Sequence, residues 1–198
     1  TLVIPLEEGV NYEAIKNELE RQPGVKTIAG SAGHVGRSVG LSVIDINDEK
    51  HEVRRISVGF DYVETVGIRL KEGRFFARAL VTDLDQSVIV NETMVKNSGR
   101  ESPLEASFDL DSGSYNVIGV VEDFHYFNFN NKIEPQFFRM TEEENFNFIS
   151  ARIEGGNIAD TEAFAEELWK KHEPDLPYNG FFQDEVFDIY FVQLKGHG

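Results

Sequence analysis

The 198 residues carry 35 Asp plus Glu against 19 Lys plus Arg, a formal charge of −16 at pH 7 that repels phosphate backbones and anionic headgroups and argues against nucleic-acid binding and polybasic membrane docking. Hydrophobic residues at 40%, 16 of them Phe, argue against disorder, and the absence of cysteine excludes disulfides, zinc thiolates, iron–sulfur clusters and thiol catalysis. No stretch approaches the roughly 20 apolar residues of a membrane helix. The chain opens on a strand-like run, Leu2-Val3-Ile4-Pro5-Leu6, without a charged leader or cleavage site, and its abrupt ends suit a piece of a longer protein.

Glu7-Glu8-Gly9 reads as a turn, after which Asn11 caps a helix whose Tyr12, Ile15 and Leu19 line one face. Pro23-Gly24 stops that helix, and a strand begins at Val25-Lys26-Thr27-Ile28. Gly30, Gly33, Gly36 and Gly40 follow with no Gly-Lys-Ser/Thr, no GxGxxG and no apolar helix directly behind them. They read as a flexible crossing and not as a phosphate loop. Leu41 to Ile46 and Val53 to Val58 flank Asn47-Asp48-Glu49 as a hairpin with a polar tip. Short helices fit Asp61 to Val66 and Asn91 to Asn97, and strands fit Gln86 to Val90 and the Val/Ile-rich Tyr115 to Val121. Asn147 to Ile153 alternates as a strand with two unlike faces. Gly155-Gly156 turns the chain, and Asp160 or Thr161 caps a helix carrying Phe164, Ala165, Leu168 and Trp169. Pro174 closes it, and Tyr178 to Gln183 returns as a strand.

The order strand–helix–strand therefore occurs at both ends of the chain. The expected fold class is α+β, with two βαβ units sharing one sheet and placing their helices on one face. Residues 1–40 and 141–198 form that subdomain, and residues 41–140 form a mostly β insert.

Candidate chemistry is thin. Asp123 and His125 lie two apart after a strand, a spacing that a metal or an acid–base pair could use. No second His or paired carboxylate completes a site, and aromatic residues crowd the segment. Asp109-Leu110-Asp111-Ser112-Gly113 fails as a calcium loop, because Gly113 is fifth and the twelfth position is Val120; turn chemistry accounts for it. No G-x-S-x-G is present, and the five His residues occupy unrelated contexts. Glu142-Glu143-Glu144 reads as a loop tip, and Glu162, Glu166 and Glu167 as a solvated helix face whose far end carries Lys170-Lys171-His172.

Three ordered segments resemble one family. They are Phe60-Asp61-Tyr62-Val63-Glu64-Thr65-Val66-Gly67-Ile68 leading to Glu72-Gly73-Arg74-Phe75-Phe76; Ser87-Val88-Ile89-Val90-Asn91-Glu92; and Tyr115 to Val121 continuing as Glu122-Asp123-Phe124-His125-Tyr126, with Ile133-Glu134-Pro135 after it. Together they resemble the MacB-like extracytoplasmic core domain of FtsX-type ABC-transporter permeases. The opening strand and helix are similar to the version found in permeases with two such domains. Pro103-Leu104-Glu105-Ala106 departs from the family's Pro-aliphatic-Gly-Lys and puts that turn in question.

The resemblance implies a porter-like subdomain built from the chain ends and an inserted sabre-like subdomain. It implies turn or close-packing roles for Gly67, Gly73 and Gly119, and a buried ion pair or backbone bonds for Arg74 and Asp123. It also implies a non-enzymatic domain, with no catalytic, cofactor or metal residues and no cofactor, on the periplasmic face of a bacterial inner membrane. Its partners would be a separate ATP-binding subunit or domain acting through transmembrane helices and a second permease copy or periplasmic protein, with no nucleic acid. Both chain ends would continue into membrane helices, Asp184 to Val192 beginning the exit helix, and the crossings at Gly30 to Gly40 and Phe138 to Asn145 would hinge. The alternatives are a secreted enzyme using metal at Asp123 and His125, and a carbohydrate-binding or adhesion module using exposed aromatics.

Overall fold

The computed structural model describes residues 1–37, 39–46, 48–110, 113–125, 132–183 and 187–188. In chain order the elements begin with β1 (Leu2–Pro5), α1 (Tyr12–Leu19), β2 (Val25–Ser31), β3 (Gly40–Ile46) and β4 (Glu49–Val58). There follow α2 (Tyr62–Thr65), β5 (Leu70–Gly73), β6 (Ser87–Asn91), α3 (Glu92–Ser98), β7 (Ser107–Leu110) and β8 (Gly113–Val121). The chain continues through β9 (Phe124–His125), β10 (Gln136–Met140), β11 (Phe148–Ile153), α4 (Ile158–His172), β12 (Phe181–Phe182) and β13 (Phe187–Asp188). No helix among them is long and apolar enough to cross a membrane.

The two terminal βαβ units interleave. The strands lie in the order β12-β1-β11-β2, each antiparallel to its neighbour. β1 and β2 are therefore parallel with β11 between them, and β11 and β12 are parallel with β1 between them. This is the split βαβ arrangement of ferredoxin-like sheets. Asn11 caps α1 as its spacing requires, its Oδ1 accepting from the Ala14 N–H at 3.1 Å. α1 lays Ile15 and Leu19, and α4 lays Ala165, Leu168 and Trp169, over Leu2, Ile4, Ile149 and Ala151. The Trp169 Nε1–H is satisfied by the Leu176 carbonyl at 3.0 Å, so the indole is buried without an orphaned donor.

Three local expectations are corrected. α4 begins at Ile158 with Asn157 in the cap position and no side-chain cap bond. Gly155, at φ +79, turns the chain early enough that Thr161 lies inside the helix, buried against the sheet. The returning strand is confined to Phe181–Phe182, since only that pair meets β1. The helices of the two βαβ units, α1 and α4, share one face of the end strands as expected, and the four-residue α2 packs on the opposite side. There the Thr65 hydroxyl donates to Thr27 Oγ1 at 3.0 Å, while Ile28 next to Thr27 faces the opposite core. Of the expected exit helix, Phe187–Asp188 pair with Phe124–His125 as strands, and the other residues of 184–192 lie outside the described residues.

The 116 or so residues between β2 and β11 continue the same sheet as β4-β10-β6-β8-β5, with β3 hairpinned onto β4 and β7 onto β8. Asp48 at φ 65 makes the hairpin tip. β3 lies against β7, so this part of the sheet curls on itself. Period-2 alternation divides its side chains between two cores. Val88, Val90 and Phe137 face inward with Ile44, Val53, Phe108 and Val117, while Ile89 and Phe138 face Tyr62, Val63, Ile68 and Phe76.

Within the sheet the two parts meet at one point, while α2 packs across from the insert onto β2 and β11. β2 and β4 share one register pair, Ser31 with Val58, flanked by Gly59 N–H to Gly30 O at 2.8 Å and Ala32 N–H to Ser57 O at 2.9 Å. The Phe146 ring wedges into this joint: a Cβ on Gly30 would lie 2.1 Å from the ring and one on Gly59 2.4 Å. Glycine is required at both positions because the aromatic occupies the space.

Candidate functional site

The segments that carry the family resemblance converge on one polar knot. Asn91, ending β6, is buried; its Oδ1 accepts from the Met94 and Gln136 N–H groups at 3.0 and 3.1 Å and its Nδ2 donates to the Glu134 carbonyl at 2.9 Å. Glu92 Oε1 accepts from the Asp123 N–H at 3.0 Å, and its Oε2 from Lys71 Nζ at 2.7 Å. Burial opposes the Glu92 charge, but Lys71 and that N–H outweigh it and hold its carboxyl below the usual range. Asp123 in turn accepts from the N–H and the hydroxyl of Thr93 at 3.0 and 2.8 Å. These side chains tie β6, α3, β8 and the approach to β10 into one unit, and each acceptor is occupied by a structural bond.

Arg74 and Asp123 divide the two roles that the resemblance allowed them. Asp123 takes backbone and hydroxyl bonds, whereas Arg74 makes a bidentate ion pair with Asp83 at 2.7 and 3.0 Å. Asp83 is fully buried and also accepts from the Ala77 N–H and the Ser87 hydroxyl, both at 2.8 Å. Burial alone would raise its pKa; Arg74 and the two further donors hold it below the usual carboxylate range. Gly73 adopts φ +78, and a side chain there would strike the Ile118 carbonyl at 2.2 Å. A Cβ on Gly119 would likewise lie 2.4 Å from the Arg74 carbonyl oxygen. Gly67, at φ +84, closes the turn after α2. Pro103–Glu105 forms a 3-10 turn without a positive φ at Glu105, so the departure from the family pattern is accommodated.

The remaining candidates separate. Asp123 is buried in its bonds to Thr93, and the side chain of His125 lies outside the described residues. Asp109 accepts from the Ser114 hydroxyl at 2.8 Å across the β7–β8 hairpin, whose residues 111 and 112 are outside the described set. Among the described residues, no three His, Cys, Asp or Glu side chains cluster as a metal site. Glu162, Glu166 and Glu167 are exposed on α4. Glu18 of α1 takes His172 Nε2 at 2.8 Å and Lys171 Nζ at 3.1 Å, and those bonds lower its pKa.

One buried group had no sequence signal. His34 is 1% exposed and sits against Tyr62, Phe148 and Phe181. Tyr62 Oη accepts from the Val35 N–H at 3.1 Å, so its hydroxyl proton goes to His34 Nδ1, 2.8 Å away. That leaves Nε2–H to donate to Gln183 Oε1. Burial drives the imidazole pKa down and nearby Arg37 adds to it, against the Gln183 bond, so the ring is held neutral in one tautomer. His34 thus fastens α2 to the residue that follows β12. Its partners are 28 and 149 residues away, beyond the reach of any local pattern.

The comparisons agree with this architecture. The family model for the MacB-like periplasmic core domain matches residues 4–169. The crystal structure of the periplasmic region of MacB from Actinobacillus actinomycetemcomitans superposes with a TM-score of 0.66 at 16% identity, covering 100% of this chain and 92% of that one. The extracellular domain of the ABC-type transporter YknZ from Gram-positive bacteria superposes with a TM-score of 0.62, also at 16% identity, covering 94% of this chain and 98% of that one. No curated protein sequence matches. At these identities the structural likeness speaks for the fold, and the family match over most of the chain speaks for descent: this chain belongs to the MacB-like periplasmic core domain family.

Proposed function

We propose that the chain is the extracytoplasmic part of an ABC-transporter permease at the periplasmic face of a bacterial inner membrane, and that it passes ATP-driven movement of membrane helices to a substrate or partner outside. An ATP-binding subunit or domain would act on it indirectly, through helices continuing from β1 and from the segment after β12. No bond-making step is assigned to its residues. The porter-like part would comprise residues 1–40 and 141–198, and the sabre-like part residues 41–140.

The observation that carries this reading is the pairing of β1 with β12 and the residues beside them. Thr1 N donates to the Gln183 carbonyl at 3.1 Å, and the Gln183 N–H donates to the Thr1 carbonyl at 2.9 Å. A pull or rotation applied through both flanking segments would therefore reach one edge of the four-stranded part. The inserted part is joined to that body in the sheet, among the described residues, by the Ser31–Val58 pair alone, and α2, packed on β2 and bonded to Thr27 and His34, couples the two parts, so movement of one is passed to the other.

The test uses the full-length transporter with its ATP-binding component in nanodiscs. This chain has no cysteine, so Glu162→Cys on α4 and Glu105→Cys on the insert, both exposed, can be spin-labelled within it. The expected result is a change in the inter-label distance distribution between ATP-bound and nucleotide-free states. Identical distributions in both states, with ATP turnover verified, would remove the transmission reading.

A further inference from the structure

The joint opens to solvent as a groove shared by both parts. Tyr12 from α1 meets Phe146 edge-on, with centroids 5.0 Å apart, and Phe60 and Leu84 approach from the insert. Arg78 lies over the Phe60 ring and is already paired with Asp61 at 2.7 Å. Leu84 belongs to a 3-10 turn, Val81–Leu84, that holds apolar side chains in water: Leu80 is 42% exposed, Val81 80% and Leu84 42%. This turn cannot fold its apolar side chains away, because Asp83 at its centre is buried and held by Arg74, Ala77 and Ser87. An exposed apolar turn beside an aromatic groove has the character of an interaction surface.

The charge around it identifies the occupant. Exposed Glu7, Glu8, Glu13, Glu142, Glu143 and Glu144 line this groove and the depression continuous with it across Tyr12 and Phe146. None of the six makes an ion pair with Lys or Arg among the described residues, and Lys16 in the groove is paired with Glu20. Glu143 is pushed up first by burial and then by the Glu13 carboxylate facing it, and Lys16 offsets this only in part, a sign of crowded negative charge.

We propose that this groove docks a basic amphipathic segment of a partner protein, with an aliphatic or aromatic anchor between Tyr12, Phe60 and Leu84 and Lys or Arg side chains against the glutamates. A second copy of the chain would bring its own −16, and an anionic lipid surface would be repelled in the same way. Because the walls come from both parts, an occupant would brace the joint. The inference rests on the shape and charge of this surface and not on transmitted motion, so either reading can fail alone.

The test measures fluorescence anisotropy of a labelled Lys/Leu amphipathic peptide on the full-length permease in phosphatidylcholine nanodiscs, with empty discs as the blank. A Lys/Ser peptide of equal charge is the comparison. Two variants, Val81→Ser with Leu84→Ser, and Glu13→Gln with Glu142→Gln and Glu143→Gln, should each weaken the Lys/Leu peptide by about tenfold. Glu162→Gln with Glu166→Gln and Glu167→Gln, which removes as much charge from α4, should leave affinity unchanged. Equal weakening by the α4 variant, equal binding of the Lys/Ser peptide, or no binding would each overturn the proposal. So would self-association of the permease that is lost on Leu84→Ser, since the groove would then belong to a second copy.

Discussion

The end strands and the insert are halves of one sheet that bury their faces by different means. In the end part, α1 and α4 follow directly on strands they cover, and an apolar stripe such as Ile15 and Leu19 drops onto Leu2, Ile4 and Ile149. In the insert only α3, the four-residue α2 and short turns are available, so the strands curl until β3 lies against β7 and enclose a core of their own. A curled sheet leaves its strand ends and connections without backbone partners, and buried side chains fill that role: Asn91, Asp83 and Asp123 accept what no ladder supplies. A sheet served by neighbouring helices is held by apolar area, whereas a sheet that must close on itself depends on a few polar bonds that cannot be lost cheaply.

Trp169→Ala is the strongest way to break this contrast. It removes a fully buried indole from the end part and should cost about 3–5 kcal/mol. Hydrogen exchange should show protection falling in β1, β2 and β11 while β8 and β10 keep theirs. A uniform fall would mean that the two parts are one cooperative unit. Arg74→Ala attacks the insert by stranding the buried Asp83 carboxylate. With Arg74 itself 40% exposed, the expected loss is about 2–3 kcal/mol in denaturant unfolding, with Arg74→Lys recovering part of it.

The joint is tested by Gly30→Ala, which drives a Cβ into the Phe146 ring and should cost about 2 kcal/mol. Adding Phe146→Ala should make the second change far less damaging than either sum predicts, giving a coupling of about 1 kcal/mol or more in a double-mutant cycle. Additive losses would mean that the ring does not wedge the joint. The gentlest probe is pH. The folded state depresses the His34 pKa below its ordinary 6.5, so below that value the unfolded chain binds a proton that the folded chain resists. The contribution is fully present above about pH 6.5 and is lost as pH falls toward the folded pKa. Glu64 and Glu143, raised by burial, act with the opposite sign at lower pH, so the difference between the parent and His34→Gln isolates the histidine. Parallel stability–pH curves for the two would show that the clasp does not titrate.

By itself the sequence determined the features whose energy is local. Asn11 capped the helix it was expected to cap, the alternation in Phe148–Ile153 placed Ile149 and Ala151 on the helical face, and the hairpin turned at Asp48. The ordered segments around Gly73, Asn91 and Asp123 marked the family because their spacing records a set of turns and caps that must coincide. Tertiary structure alone decided how the two βαβ units interleave, why α4 starts at Ile158, which carboxylate Arg74 meets, and that Phe146 would lie on Gly30 and Gly59. It alone joined His34 to Gln183 across the length of the chain. The reason is physical: caps, turns and periodicity depend on residues within one or two turns of each other, whereas strand order and buried polar partners depend on which distant surfaces the folded chain brings together.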